Sequence, residues 1–165
     1  MKKNILILLL AVIFASLQTT VLKEVKLFGA TPNLLLSLIV AVSMFRGVAG
    51  GGLTGLLCGL LADNMGYGPF GFYSFFYMTA GAFLGFSSDR YFNKNILFQI
   101  TLTFITDMFI SLLYFFFMFI IWGRGGHMIV GFSKVFAQGV YTAVFSIIVY
   151  MTVKKIFIKE MKNEY

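Results

Sequence analysis

Six membrane-crossing helices in an all-α protein are what this sequence predicts, on three observations. The first is composition. The chain is 59% hydrophobic and 12% charged, with a mean hydropathy of +0.91, whereas soluble domains run at about 45–50% apolar and 25% charged. A chain of 165 residues could not hide so much apolar surface in a soluble core. The second is that the charges gather in short breaks between apolar runs. The third is a glycine row, Gly47, Gly51, Gly55 and Gly59, spaced every four residues inside an apolar stretch. In water each interior glycine costs a helix about 0.5–1 kcal/mol relative to alanine. In lipid small residues let a second helix approach closely. By length the chain is one domain, 1–165.

The first predicted helix covers about 4–22, after Lys2 and Lys3. A basic start before an apolar run also describes a secretory signal, but the run Ile5–Val21 is too long, and Ile13 and Ala15 make a poor small-x-small cleavage site. Ala11 and Ala15 form a small-xxx-small pair on this helix. Lys23, Glu24 and Lys26 then break the pattern.

The second helix is placed at about 27–45. Leu34 to Phe45 alone holds twelve residues, short of the roughly 17–25 that cross a bilayer. Starting from Leu27 gives nineteen, with Pro32 in the first turns, where proline is tolerated. The alternative is one long helix from Leu34 to Ala62 with Arg46 in its middle. Charge decides between them. Six spans with an inner N-terminus put Lys2, Lys3, Arg46, Arg90, Lys94, Lys154, Lys155, Lys159 and Lys162 on the cytoplasmic side, leaving Lys23, Lys26 and Arg124 outside. Merging the two helices reverses that bias and strands Arg46 near the midplane, at about 2.5–3.5 kcal/mol or more.

The third helix, about 47–62, ends at Asp63 and the turn residues Asn64, Gly66, Gly68 and Pro69. Its glycine row drifts about 40° per step of four, so Gly51, Gly55 and Gly59 are the part expected to receive a partner helix. The fourth, about 70–87, repeats the spacing at Gly81 and Gly85, and Asp89, Arg90, Asn93 and Lys94 form an inner loop. The fifth, about 96–122, has a nearly continuous apolar outer half from Tyr114 to Trp122, with Trp122 placed as an interfacial anchor. The sixth, about 128–153, runs into a lysine-rich inner tail.

Few residues offer chemistry. The net charge of +7 sits in loops and tails, where it orients spans and meets anionic lipid; no basic-aromatic module for nucleic acid is present. Cys58, the one cysteine, lies in an apolar run and is expected to be a buried, inert thiol. Gly50, Gly52 and Gly55 spell G-x-G-x-x-G, but no preceding strand or βαβ pattern accompanies them. Asp107 and Lys134 are the ionisable residues well inside predicted spans, and such charges are functional candidates by default. At 1.5 Å per residue Asp107 lies about 22 Å below Trp122 and Lys134 about 9 Å below Met128, so the two are not level. A direct ion pair between them needs offset helices; otherwise Lys134 snorkels outward, and Asp107 is protonated or bonded to neighbours such as Thr103, Thr106 or Ser111; a transport or partner role is the other reading of both. Arg46 and Asp63 close opposite ends of the glycine helix, either as charges that set its depth or as partner contacts. His127, the only histidine, stands in an outer turn. No nucleophile is paired with a base, and neither catalysis, metal binding nor a cofactor is expected.

Pro32-Asn33-Leu34-Leu35-Leu36, then Arg46, then Gly52-Leu53-Thr54-Gly55-Leu56-Leu57-Cys58-Gly59-Leu60-Leu61-Ala62-Asp63 resembles the bacterial rod shape-determining MreD family. The resemblance covers the first half in motif and the whole chain in span count. It implies a non-catalytic, multi-pass protein of the bacterial cytoplasmic membrane that binds MreC and helps position peptidoglycan synthesis. MreB, RodA and a class B penicillin-binding protein would belong to the wider assembly. It makes Pro32, Asn33, Arg46, Gly55 and Asp63 the family-motif positions. The chain is also similar to the substrate-binding S components of energy-coupling-factor vitamin transporters, which have six spans and a comparable length. A vitamin pocket needs placed polar groups among apolar walls, and the outer half of the fifth helix offers little beyond Tyr114 and Trp122, which favours the protein-binding reading.

Overall fold

The computed structural model describes residues 2–24, 30–65, 69–91, 95–122 and 128–161. Five α-helices are formed by these residues: α1 Lys2–Glu24, α2 Leu34–Asn64, α3 Phe72–Tyr91, α4 Ile96–Trp122 and α5 Met128–Met161. Among the described residues three helical stretches are long and apolar enough to cross a membrane, Leu34–Asn64, Ile96–Met118 and Ser133–Phe157, with a shorter apolar run over Asn4–Thr20. Expectations placed on Lys26, Gly66, Gly68, Asn93, Lys94, Arg124, His127 and Lys162 lie outside the described residues.

The long α2 is not a straight rod. Gly47 has φ 65° and ψ −160°, a left-handed conformation open to glycine and strained for other residues. The chain reverses there into two arms, 34–46 and 48–64. Asn33 and Ala62, beyond or near their far ends, line one cavity, whereas a straight helix would hold them about 44 Å apart at 1.5 Å per residue. Ser43 from the first arm bonds the Gly81 carbonyl oxygen, and a Cβ on Gly51 of the second arm would run into both. The break inferred from the charge on Arg46 thus corresponds to a reversal one residue later, and no uninterrupted helix carries Arg46 in its middle.

The first arm is the core. Leu34 to Met44 are all buried, as an apolar-all-round helix must be. It begins later than the predicted 27 because Pro32 disfavours helix in the residue before it and Asn33 stops the helix, its Oδ1 accepting from Leu36 N at 3.2 Å. Its 13 residues measure about 20 Å, less than a bilayer core, but contacts from every other helix cover it. Ile7, Ala11, Ala15 and Leu22 of α1 are buried at helical spacing in the same core cluster. Gln99 Nε2 of α4 reaches the Ser37 carbonyl oxygen (3.2 Å). Phe45 stacks on Tyr150 and Phe157 of α5 at 6.0 and 5.2 Å between ring centroids.

These contacts also set directions. Gly85 sits against Gly47 and Asp63 against Ser74, so the two arms and α3 run alternately up and down, while Thr142 at Asn33 and Phe157 at Phe45 set α5 parallel to the first arm. Arg46 and Lys154 share the reversal end; Asn33, Asp63 and Tyr73 share the other.

Candidate functional site

The glycine row holds the chain's own helix. A Cβ at Gly51 would collide with the Gly81 carbonyl, at Gly55 with Tyr77 O and Met78 Cα, and at Gly59 with Ser74 Cα and Tyr73 O. Gly81 and Gly85 return the contact against Gly51 and Gly47. Two small-residue rows therefore mesh antiparallel, backbone on backbone, between the second arm and α3. The expectation that Gly51, Gly55 and Gly59 receive a partner helix is corrected by this packing: α3 fills the groove, because it follows a short connection and carries the complementary row. Gly50, Gly52 and Gly55 lie inside the helical arm, not in a phosphate-binding turn.

Asp63 closes the same seam. It is 5% exposed, and its carboxylate accepts from Tyr73 N and Ser74 N at 3.0 Å each and from Ser74 Oγ at 2.5 Å. It thereby neutralises the first free N–H groups of α3 at the positive end of that helix. Arg46 is half-buried immediately before the reversal. Of the two readings for Asp63, a depth-setting charge or a partner contact, the structure supplies a third: an internal cap delivered from another helix.

The second constellation forms where the first arm begins. Asp107 of α4 is 1% exposed. Its Oδ1 accepts from Asn33 Nδ2 (3.3 Å) and its Oδ2 from Thr142 Oγ1 (3.2 Å), with a further side-chain hydrogen bond to Gln138. Asn33 Nδ2 also donates to the Tyr77 hydroxyl (2.5 Å), and Asn33 N to Thr142 Oγ1 (3.0 Å). Gln138 Nε2 reaches Ser111 Oγ at 3.4 Å. Asp107 is therefore satisfied by residues of other elements, not by Thr103 or Thr106 on its own helix; Thr103 bonds the Gln99 carbonyl. Lys134 is exposed and precedes Thr142 by about 12 Å of helix, so Asp107 and Lys134 are offset along the helices.

Beside this cluster lies a cavity of about 80 Å³, lined by Gln18, Thr31, Asn33, Ala62, Tyr73, Tyr77 and Gln138. Gln18 is 8% exposed, and its Oε1 has no hydrogen-bond partner. Among these polar residues Asn33 alone belongs to a motif visible in the sequence. The available signal was weak: Gln18, Gln138 and Thr142 are polar residues inside apolar runs, a sign of inward-facing positions in a membrane helix. Polar groups converge here from α1, from the non-helical residues leading into α2, and from α3, α4 and α5, and not from the outer half of the fifth predicted span, Tyr114 to Trp122.

A separate apolar cleft of about 350 Å³ opens between α3 and α4, with Phe76, Thr79, Phe83, Leu102, Ile105 and Phe109 among its walls. Cys58 is buried and free. Among the described residues no group of three or more His, Cys, Asp or Glu could hold a metal ion.

The chain is thus an all-helical protein with apolar helices of membrane-crossing length. Comparison with family models, with curated proteins and with solved structures gave no match.

Proposed function

We propose that the chain crosses a bacterial cytoplasmic membrane six times, with both termini inside, and works as a non-catalytic component of the cell-elongation machinery in the manner of MreD, binding the transmembrane helix of MreC. One observation carries this reading: the residues behind the resemblance form one architectural unit. Asn33 caps the first arm, Arg46 precedes the reversal, Gly55 sits in the seam, and Asp63 caps α3. They hold a scaffold together and present no reacting group. The reversal end carries Arg46 and Lys154, which agrees with an inner side under the positive-inside rule.

With the glycine row closed, the apolar cleft between α3 and α4 is the face on which we place the MreC helix. Its small residues Thr79 and Ala80 admit close helix approach. Co-expression with tagged MreC tests this. MreC is expected to co-purify with the wild-type chain and to be lost from Thr79→Trp, a substitution at an exposed position. Normal co-purification with Thr79→Trp would move the partner elsewhere, and none with the wild type would defeat the reading.

The polar cavity favours a second reading, the S component of a vitamin transporter. Volume ranks it second. Small-molecule sites run at about 300–1,000 Å³, several times the cavity here. Thermal stabilisation by a vitamin would reverse that ranking.

A further inference from the structure

We propose that the cavity beneath Gln18 is a binding site for a small monovalent cation of the sodium or ammonium class, with Asp107 as its counter-charge. Three independent features lead there. First, the lining is rich in oxygen and holds no cationic side chain: Gln18, Thr31, Asn33, Tyr73, Tyr77 and Gln138 surround the space with one alanine. Second, Gln18 Oε1 is buried, lines the cavity and has no partner. A buried acceptor without a donor or cation costs about 1–3 kcal/mol, and a group in the cavity would remove that cost.

Third, Asp107 has only neutral partners, Asn33, Thr142 and Gln138, and no ion pair to it occurs among the described residues. Burying an unpaired carboxylate is expensive. Asn33 and Gln138 each touch both the Asp107 carboxyl group and the cavity, so that group stands one side chain behind the open space. The Asn33 amide keeps its Oδ1 on Leu36 N and its Nδ2 on Asp107 and Tyr77, so the oxygens that line the space for an ion are those of Gln18, Thr31, Tyr73, Tyr77 and Gln138.

Donor type selects the ion. A water needs about 10–15 Å³ of such space, so a cavity of about 80 Å³ has room for a monovalent ion with several waters. A divalent ion would call for more carboxylates than one. Buried Gln18, Asn33 and Tyr77 form the floor, and half-buried Thr31, Tyr73 and Gln138 form the rim. The proposal stands apart from the MreC reading and does not need it.

The single buried Cys58 supplies the readout, since a thiol-reactive fluorophore reports its exposure on unfolding. The purified full chain in detergent is heated in sodium, ammonium or choline chloride at one ionic strength. A saturable rise in unfolding midpoint with sodium or ammonium, absent with choline, is expected. In Gln18→Leu and in the near-isosteric Asp107→Asn the half-saturating concentration should rise at least tenfold. Equal wild-type midpoints in all three salts would mean that the cavity holds water alone. An ion-specific rise that survives unchanged in both variants would place the ion elsewhere. Either result overturns the proposal, and the wild-type comparison decides even where a variant does not fold.

Discussion

The seam between the second arm of α2 and α3 and the cluster around Asp107 are both buried, yet they are held together in opposite ways. In the seam backbone lies on backbone, with Gly51 against Gly81 and Gly85 against Gly47, and its contacts tolerate no added atom. In the cluster the helices are kept apart by side chains, and the start of α2, α3, α4 and α5 meet through hydrogen bonds of 2.5–3.4 Å. One region is closed by the absence of side chains; the other owes its spare space and spare acceptor to them. The two arms of α2 thus carry a close-packed seam and a polar, open cluster at different points of the same helix.

Substitutions can break that contrast. The largest effect is expected from Gly55→Leu, whose Cβ meets the Tyr77 carbonyl and cannot escape by changing rotamer. The cost should exceed the roughly 1–3 kcal/mol of ordinary overpacking, seen as early Cys58 labelling and loss of monodisperse protein. Next comes Asp63→Ala, which strips three donors of their acceptor. A loss of about 1–3 kcal/mol in unfolding free energy is expected, partly restored in Asp63→Asn.

The cluster should give way more gradually. Thr142→Val removes one donor to Asp107 and one acceptor for Asn33 N at little change in shape, and about 1–2 kcal/mol is expected. Measured with Asp107→Asn in a double-mutant cycle, the two should couple, whereas Thr142→Val and Asp63→Ala should add. The smallest effect is reserved for Gly52→Ala. There a Cβ would meet Ala82 Cβ at 3.6 Å, an ordinary contact, so the change should be neutral or stabilising by up to about 1 kcal/mol. A large loss at Gly52 would show that the seam reaches further round the helix than its contacts indicate.

What could be read from the chain follows the same division. Helix positions, the break beside Arg46 and the small-residue spacing at Gly51 and again at Gly81 are local patterns, written in neighbouring residues by period and charge. The occupant of the glycine groove was not legible, because a small-residue row states that something packs closely and leaves the partner unnamed. Asp63 looked like a boundary charge because its partners, Tyr73 and Ser74, lie across a turn. The Asp107 cluster was least legible of all. Asn33 and Thr142 are separated by 109 positions, and a single threonine in an apolar helix carries no mark of what it faces. Looking for polar lining along one helix misses a site to which each of five elements contributes one or two groups.

The reversal at Gly47 bears finally on how such a chain is made. An arm of 13 residues is too short to rest in lipid by itself, since about 17–25 are needed, and a turn without a loop gives it no tether that would let it wait apart. On the six-span reading proposed above, the two arms enter the bilayer together as a hairpin, and the first arm becomes tenable only as its neighbours close round it. A side chain at position 47 would be felt first as a fault in membrane insertion, before any assembled protein existed to be destabilised.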